Sequence, residues 1–165
     1  MDALFLADFR RIITGSGDAL LAYSDADAAR PLAPGKWSRK EIIGHLIDSA
    51  ANNHSRFVRA QFQDELVFDG YDQDRWVEVQ RYRDRPWTDL VSLWRAYNLH
   101  IASVMETADA AALARPRMRH NLDTLAFQSV GRAEPATLEY LMRDYVAHLE
   151  HHLRQAIPTD TARTR

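Results

Sequence analysis

Two histidines four residues apart, His148 and His152, lie near the end of the sequence in a segment with helical periodicity. Side chains four positions apart stack on one face of a helix, so this pair can chelate one metal ion through neutral imidazoles. The same stripe begins with Leu138, Leu141 and Tyr145, which predicts that it faces the protein core. Histidines that close the core and hydrogen-bond locally explain the spacing equally well.

A third histidine, His45, opens a polar stripe on an earlier predicted helix, and Ser49, Asn52 and Arg56 continue it. Apolar rows flank this stripe on both sides, so it points into the protein or lines a cleft, where polar groups need partners. A stripe that faces solvent is the alternative. A metal ion with bound water would supply the partners. We therefore predict one metal site, formed by His45 and the histidine pair of the last helix.

The remaining histidines do not share this geometry. His151 adjoins the pair but lies off its stripe, and we assign it to the surface or to the surroundings of the site. We treat His54, His100 and His120 as ordinary residues. A zinc protease of the HExxH type is excluded, because that motif requires Glu directly after the first histidine and Leu149 follows His148.

Four principal helices are predicted to position these residues. Apolar residues recur at helical spacing from Leu4 to Leu21, and Gly15 and Gly17 favour an interruption of this first helix. A third helix is predicted to begin at Thr88, whose hydroxyl can cap it.

The two helices that carry the histidines have recognisable ends. The second helix is predicted to begin at Ser38, which fits a capping box with Glu41, and to run to about Asp64. The last is predicted to begin at Thr137 and to end before Pro158, because the residue that precedes a proline disfavours helix.

Two long irregular connections, residues 65–87 and 107–136, separate these helices. The first is rich in Tyr, Trp, Asp and Arg, and connections of that length are often functional. Alternating strand patterns are scarce along the chain. We therefore predict an all-α protein, a four-helix bundle.

Length and composition favour one helical domain. The 165 residues are 46% hydrophobic, enough for a core, so we predict one domain over residues 1–157 and a polar tail over 158–165. The formal charge of −2 gives no general attraction to nucleic acid or to an anionic membrane. The chain has no cysteine, which excludes thiolate ligands and a thiol nucleophile from the protein itself. No signal peptide or membrane span is recognisable, which predicts a cytoplasmic protein.

Several short motifs follow one another along the chain. They are Gly35-Lys36-Trp37-Ser38, Glu41, Gly44-His45-Leu46-Ile47-Asp48-Ser49, Asn52, Arg56-Phe57, Tyr71-Asp72, Trp76, His148-Leu149-Glu150-His151-His152, Gln155 and Ile157. Their order and approximate spacing resemble the DinB/YfiT superfamily over residues 33–157, although residues 107–136 contribute nothing recognisable. The resemblance implies a four-helix bundle that holds a metal on one histidine of the second helix and two of the last, matching His45, His148 and His152.

Members of this superfamily include S-transferases that use a low-molecular-weight thiol such as bacillithiol or mycothiol, and others are labelled hydrolases. The resemblance implies a metal-dependent enzyme that transfers a small thiol to an electrophilic small molecule. One divalent ion, zinc or nickel, would be the cofactor, and the thiol a cosubstrate. Hydrolysis of an amide or ester and a noncatalytic metal-binding stress protein remain the alternatives.

Five further residues are candidates for the chemistry. Asp48, one helical turn after His45, can orient a ligand or accept a proton, unless it is a surface acid. Arg56 can hold the carboxylate of a thiol, or form an internal ion pair. Asn52, Tyr71 and Trp76 are candidate binding residues, although aromatic side chains in loops also serve as packing anchors.

The expected partner is a small-molecule substrate. Nucleic acid and membrane partners are not expected. Apolar rows left exposed on a helical bundle would also allow a homodimer.

Overall fold

The computed structural model describes residues 1–158, and within this range it forms helices, loops and isolated β-bridges but no β-strand. The all-α prediction is confirmed. The predicted polar tail lies outside the described residues, apart from Pro158. In chain order the helices are α1 (Ala3–Leu21), α2 (Asp25–Ala29), α3 (Arg39–Ala60), α4 (Gln73–Gln80), α5 (Trp87–Thr107), α6 (Ala110–Ala114), α7 (Leu122–Leu125) and α8 (Leu138–Ala156), with a 3-10 turn at Tyr82–Asp84.

The four long helices α1, α3, α5 and α8 form the bundle. α1 packs against α5 and α8, and α3 packs against the same two helices. α1 and α3 are therefore diagonal to each other, as are α5 and α8. Two of the three connections between consecutive long helices cross the bundle, whereas a simple up-and-down bundle joins neighbours. This arrangement places α3 beside α8, which brings the two histidine-bearing helices together.

α3 begins where the sequence predicts. The backbone N–H of Ser38 donates to Glu41 Oε2 at 2.8 Å, and the Glu41 N–H donates to Ser38 Oγ at 3.3 Å, which completes the capping box. The helix ends at Ala60, however, and not near Asp64. The chain turns there so that the backbone of Leu66 can pair with the segment at residues 119–121.

α5 begins at Trp87, so Thr88 lies inside the helix and its predicted role as the cap is wrong. Pro86 occupies the capping position and supplies no side-chain bond. The Trp87 N–H donates instead to Oδ1 of Asp25 at 2.9 Å. Asp25 is the first residue of α2. The cap therefore comes from a distant element, which local sequence does not reveal.

α1 is continuous through both glycines, so the predicted interruption is wrong. Gly17 is buried against α5, where the side chain of Arg95 occupies the space that a Cβ would fill. Packing against α5 holds the helix together and outweighs the modest cost of glycine in a helix interior.

The interior is one apolar cluster to which all four long helices contribute. No described helix has the length and apolarity needed to cross a membrane. The largest fully buried side chains are Trp94, Phe9, Phe57, Ile13, Leu20, Ile42, Ile43, Leu46, Leu66, Ile101, Met105 and Leu113.

Gly44 lets a neighbouring loop approach α3 directly beside His45. A Cβ at this position would lie 2.1 Å from Cδ2 of the Tyr82 ring, so only glycine leaves room for the aromatic side chain. Tyr82 is buried there, and its hydroxyl donates to Asp48 Oδ1 at 2.6 Å. The ring thus packs on one side of α3 while His45 points toward α8.

Candidate metal centre

The three predicted metal ligands meet where α3 packs against α8. One nitrogen from each of His45, His148 and His152 lies within 4.8 Å of the others. The Nε2 atoms of His45 and His148 are 3.3 Å apart. The ring centroids of His148 and His152 are 4.6 Å apart, as expected for neighbours one turn apart on α8. Two helices therefore supply three imidazoles to one point.

The spacing of these nitrogens fits a metal ion. Two ligands bound to a tetrahedral zinc at the usual Zn–N distances lie about 3.3 Å from each other, and the Nε2 atoms of His45 and His148 lie at that separation. A hydrogen bond between the rings would also give this distance. A shared proton, however, joins only two nitrogens, whereas three nitrogens converge here. Three protein ligands leave at least one position open for a small molecule, as in catalytic zinc sites.

The imidazoles are poised in the neutral form that binds metals. Burial, followed by the nearby His152, lowers the pKa of His45 to about 4. Burial, followed by the neighbouring histidines, lowers the pKa of His148 to about 3. Burial also lowers the pKa of His152. At neutral pH each ring therefore keeps a lone pair for a cation.

A neighbouring side chain fixes the orientation of His152, whereas Nδ1 of His45 is buried without a hydrogen-bond partner among the described residues. Gln155 Oε1 lies 3.1 Å from His152 Nδ1, so this nitrogen carries the proton and leaves Nε2 as the ligand atom. The amide nitrogen of the same glutamine lies 3.0 Å from His151 Nε2. His151 thus belongs to the surroundings of the site. The ring of Trp37 packs 5.2 Å from the ring of His45.

Phe127 is a site residue that the sequence analysis missed. Its ring lies 5.5 Å from that of His148 and 5.2 Å from that of His151. It comes from the irregular segment 107–136, and two backbone amides, Phe127 N–H and Gln128 N–H, donate to the carboxylate of Asp144 at 2.8 and 2.7 Å. Asp144 on α8 therefore holds this loop over the histidines. No periodicity marks such a loop, and its only signal is an isolated aromatic residue.

A cavity of about 490 Å³ opens beside the histidines. His45 and His148 form part of its wall, so a molecule inside it can reach the metal position. The volume suits a small molecule. The other lining residues come from α3, from the loop before α4 and its first residue, from the α7 region and from α8: Ser49, Asn53, Arg56, Gly70, Tyr71, Gln73, Asn121, Thr124, Leu125, Ala126, Phe127, Leu141, Asp144 and Tyr145.

Asp48 is buried, so its interpretation as a surface acid is wrong. Its Oδ1 accepts hydrogen bonds from Tyr82 Oη and from Gln80 Nε2, both at 2.6 Å. Burial raises its pKa despite these bonds. The carboxyl is directed at the 3-10 turn and the end of α4, and Asp48 does not line the cavity.

Arg56 does line the cavity and is only 5% exposed. It donates to the backbone oxygen of Asp69 at 2.7 Å and to Asn53 Oδ1 at 3.3 Å. Among residues 1–158, no carboxylate forms an ion pair with it. The internal ion pair is therefore wrong for this part of the chain.

The three predicted binding residues differ in position. Tyr71 lines the cavity, and burial raises its pKa to about 12. Trp76 is 39% exposed and packs 4.9 Å from the Tyr71 ring without lining the cavity itself. Asn52 donates to the backbone oxygen of Asp48 at 2.9 Å, and its neighbour Asn53 takes the place in the cavity wall.

Two histidines treated as ordinary lie together elsewhere. The rings of His54 on α3 and His100 on α5 are 4.9 Å apart, and Tyr97 Oη lies 3.4 Å from His54 Nδ1. His120 instead pairs with the backbone oxygen of Glu134 at 2.7 Å. None of the three lines the cavity.

The chain is similar in sequence and in fold to YfiT of Bacillus subtilis. YfiT of Bacillus subtilis (strain 168), named as a candidate metal-dependent hydrolase, is 22% identical over 135 residues, which cover 82% of this chain and 70% of YfiT. A solved structure of YfiT, described as a probable metal-dependent hydrolase with an unusual four-helix bundle topology, superimposes with a TM-score of 0.72 at 19% identity. The match covers 94% of this chain and 86% of that one. The model of the DinB superfamily matches residues 16–156, and the chain therefore belongs to the DinB superfamily.

Proposed function

We propose that this protein is a metal-dependent enzyme that joins a low-molecular-weight thiol to an electrophilic small molecule. The observation that carries the proposal is the convergence of three histidine nitrogens within 4.8 Å of one another, with two of the rings in the wall of a cavity. A divalent metal held by His45, His148 and His152 would lower the pKa of a bound thiol or water and so would supply a nucleophile at neutral pH.

The nucleophile has to come from outside the protein. The chain contains no cysteine. In the proposed reaction the thiol sulfur forms a bond to carbon, the leaving group departs with the bonding electron pair, and the thiol proton passes to solvent. The protein then has to bind, orient and shield the two reactants without supplying a covalent group of its own.

The carboxyl groups near the cavity favour thiol transfer over hydrolysis. Both oxygens of Asp144 accept from backbone amides. Asp48 accepts from Tyr82 and Gln80 through Oδ1, and although its Oδ2 has no partner among the described residues, Asp48 lies outside the cavity wall. Amide hydrolysis needs a group that delivers a proton to the departing amine. Tyr71, with its pKa raised to about 12, is a weak acid for that task. Displacement of a leaving group by a thiolate does not require such a group when the leaving group departs as a stable anion.

The other residues of the site position the reactants. Gln155 fixes the tautomer of His152, because its carbonyl oxygen lies against Nδ1. Phe127 and Trp37 pack against the imidazoles on two sides and restrict the approach of bulk water. Tyr71 and Asn53 present polar groups to the cavity interior, where they can orient a substrate.

The test begins with metal analysis of the purified protein, with zinc and nickel as the expected ions. Protein loaded with that metal, and a sample stripped by chelator, are then incubated with small thiols and an alkylating electrophile, and the conjugate is measured by mass spectrometry. Cobalt-loaded protein provides a second measurement, because a thiolate bound to Co²⁺ gives a charge-transfer absorption. Thiol-dependent conjugation that requires metal supports the proposal. Full metal loading without any turnover would favour a noncatalytic metal-binding protein.

Hydrolysis of an amide or ester is the second candidate, and the description of YfiT as a probable metal-dependent hydrolase favours it. The same metal position would then activate water. The requirement for a thiol distinguishes the two reactions, since hydrolysis proceeds without one. Turnover of an ester or amide panel by metal-loaded protein with no thiol present would replace the transferase proposal.

A homodimer is a separate proposal, motivated by apolar side chains exposed on the bundle, such as Leu4 and Leu93. Light scattering during size-exclusion chromatography measures the mass directly.

A further inference from the structure

Arg56 combines deep burial with unused hydrogen-bonding capacity. A guanidinium has five N–H donors. Two contacts are made, to the Asp69 backbone oxygen and to Asn53 Oδ1. The side chain is 5% exposed and stands in the wall of the cavity beside the histidines. The carboxylate of Asp69 acts on Arg56 only from beyond ion-pair distance. A buried cation without a close counter-ion is costly, so this position favours an anion supplied from the cavity.

The other two buried cations are engaged by groups of the protein itself, although Nε of Arg117 has no hydrogen-bond partner among the described residues. Lys40 pairs with Asp25 at 2.8 Å and also donates to the Arg85 backbone oxygen at 2.7 Å. Arg117 donates to three backbone oxygens, those of Ala60, Ala112 and Arg115, at 2.8 to 3.3 Å. Neither of them lines the cavity. Arg56 therefore differs from them in facing a space where a ligand fits.

Its distance from the histidines sets the size of that ligand. Arg56 follows His45 by three helical turns on the same stripe of α3, a rise of about 16 Å. The long Arg56 side chain leans back toward His45, because its guanidinium donates to Asn53 Oδ1 one turn earlier, and this shortens the gap to on the order of 10 Å. Ser49 and Asn53 lie between the two ends of the cavity.

The charge of the cavity wall favours a single negative charge on the ligand. Arg56 is the only lysine or arginine among the described residues that line the cavity. Asp144 is the only lining carboxylate in the same part of the chain, and backbone amides already engage both of its oxygens. A carboxylate matches one planar guanidinium in charge and in geometry, whereas a phosphate dianion would leave a charge unbalanced.

We propose that the cavity binds a monocarboxylate, with the carboxylate on Arg56 and the reactive end on the order of 10 Å away at the three histidines. The placement of the reactive end rests on the proposed function, but the binding of the carboxylate does not. One of the two reactants is thus a small acid whose carboxylate serves only as an anchor.

The test compares hexanoate with its neutral isostere hexanamide by isothermal titration at pH 7.5, using metal-loaded and metal-stripped protein. Hexanoate is expected to bind wild-type protein at least tenfold more tightly than hexanamide, in both samples. The metal-stripped sample excludes a carboxylate that simply ligates the metal. Because no turnover is measured, this result is independent of whether the enzyme transfers a thiol or hydrolyses a bond.

Variants locate the binding site. Arg56→Gln is expected to lower hexanoate affinity tenfold or more and to leave hexanamide affinity unchanged, and Arg56→Lys should retain an intermediate affinity. Arg59→Gln is the matched control, because Arg59 is an exposed arginine on the same helix outside the cavity wall. If Arg56→Gln fails to fold, the wild-type comparison of hexanoate with hexanamide and the Arg56→Lys variant still test the proposal.

Several results would overturn the proposal. They are equal affinity for hexanoate and hexanamide, equal loss of both ligands in Arg56→Gln, loss of hexanoate binding in Arg59→Gln, and binding confined to the metal-loaded sample. Tighter binding of hexyl phosphate than of hexanoate would overturn the choice of a monocarboxylate.

Discussion

The Nε2 atoms of His45 and His148 lie 3.3 Å apart although the two residues are 103 positions apart in the chain. The diagonal connections of the bundle produce this contact, because they place the second long helix beside the fourth. Burial of both rings then removes their protons at neutral pH, with pKa values of about 4 and about 3. Topology supplies the geometry of the site, and desolvation supplies its charge state.

We expect each of the variants His45→Ala, His148→Ala and His152→Ala to lose stoichiometric metal. Three ligands are the usual protein share of a catalytic zinc site, and two remaining imidazoles bind far more weakly. Metal content per chain is measured by plasma mass spectrometry after dialysis. The controls are His100→Ala and His120→Ala, which lie away from the cavity and should keep the metal. Equal loss in both groups, together with altered circular dichroism, would point to unfolding and contradict the assignment.

We expect the metal-free protein to lose stability as the pH falls from about 6.5 toward 4. An unfolded histidine takes up a proton near its ordinary pKa of about 6.5, whereas folded His45 resists protonation until about 4. The unfolded state therefore binds more protons throughout this window, and the free energy of unfolding rises with pH across it and levels off above it. For His45 alone the change is about 3 kcal/mol.

Urea denaturation at several pH values, in the presence of chelator, measures this slope. His45→Gln should flatten it, while His100→Gln, which replaces an exposed histidine on α5, should leave it unchanged. A slope that is the same in all three proteins would mean that other groups whose pKa is lowered by folding, such as His148 and His152, control the acid sensitivity.

We expect Gly44→Ala to destabilise the fold by about 1–3 kcal/mol. The added methyl would lie 2.1 Å from a Tyr82 ring carbon, and neither the helix nor the base of the ring can move freely. Displacing Tyr82 also removes its hydrogen bond to Asp48. Gly15→Ala is the control, since nothing lies within 4 Å of a Cβ there. Alanine should stabilise that exposed helical position by up to about 1 kcal/mol. Equal effects of the two substitutions in urea denaturation would contradict the close approach.

Periodicity was sufficient to predict the faces of the long helices. The stripes that contain His45 and His148 were assigned to the interior from spacing alone, and both rings line the buried cavity. The same reasoning did not separate Asn52 from Asn53, because adjacent residues differ by only about 100° around a helix. The sequence therefore predicts that the stripe faces the interior, but it does not predict which of the two adjacent asparagines lines the cavity.

Long-range contacts account for most of the remaining differences. Asp25 caps α5 from a separate helix, and Asp144 holds Phe127 over the histidines through backbone amides of a loop. Neither arrangement leaves a local pattern. Likewise, the environment of Asp48 depends on Tyr82, which reaches α3 only because Gly44 leaves space.

We expect Gln155→Ala to weaken metal binding by about tenfold without abolishing it. Partners that fix the tautomer of a ligating histidine typically contribute 10- to 100-fold in affinity, and because Gln155 is exposed the lower end applies here. In the folded protein its Oε1 lies 3.1 Å from His152 Nδ1, so its removal frees the ring to rotate and to exchange tautomers. Competition with a chelator of known affinity measures the change. The matched control is Arg154→Ala, an exposed neighbour whose guanidinium pairs with Glu150 at 3.4 Å. Unchanged affinity in Gln155→Ala would show that packing alone orients His152, and equal weakening in Arg154→Ala would show that the end of α8 responds to any truncation.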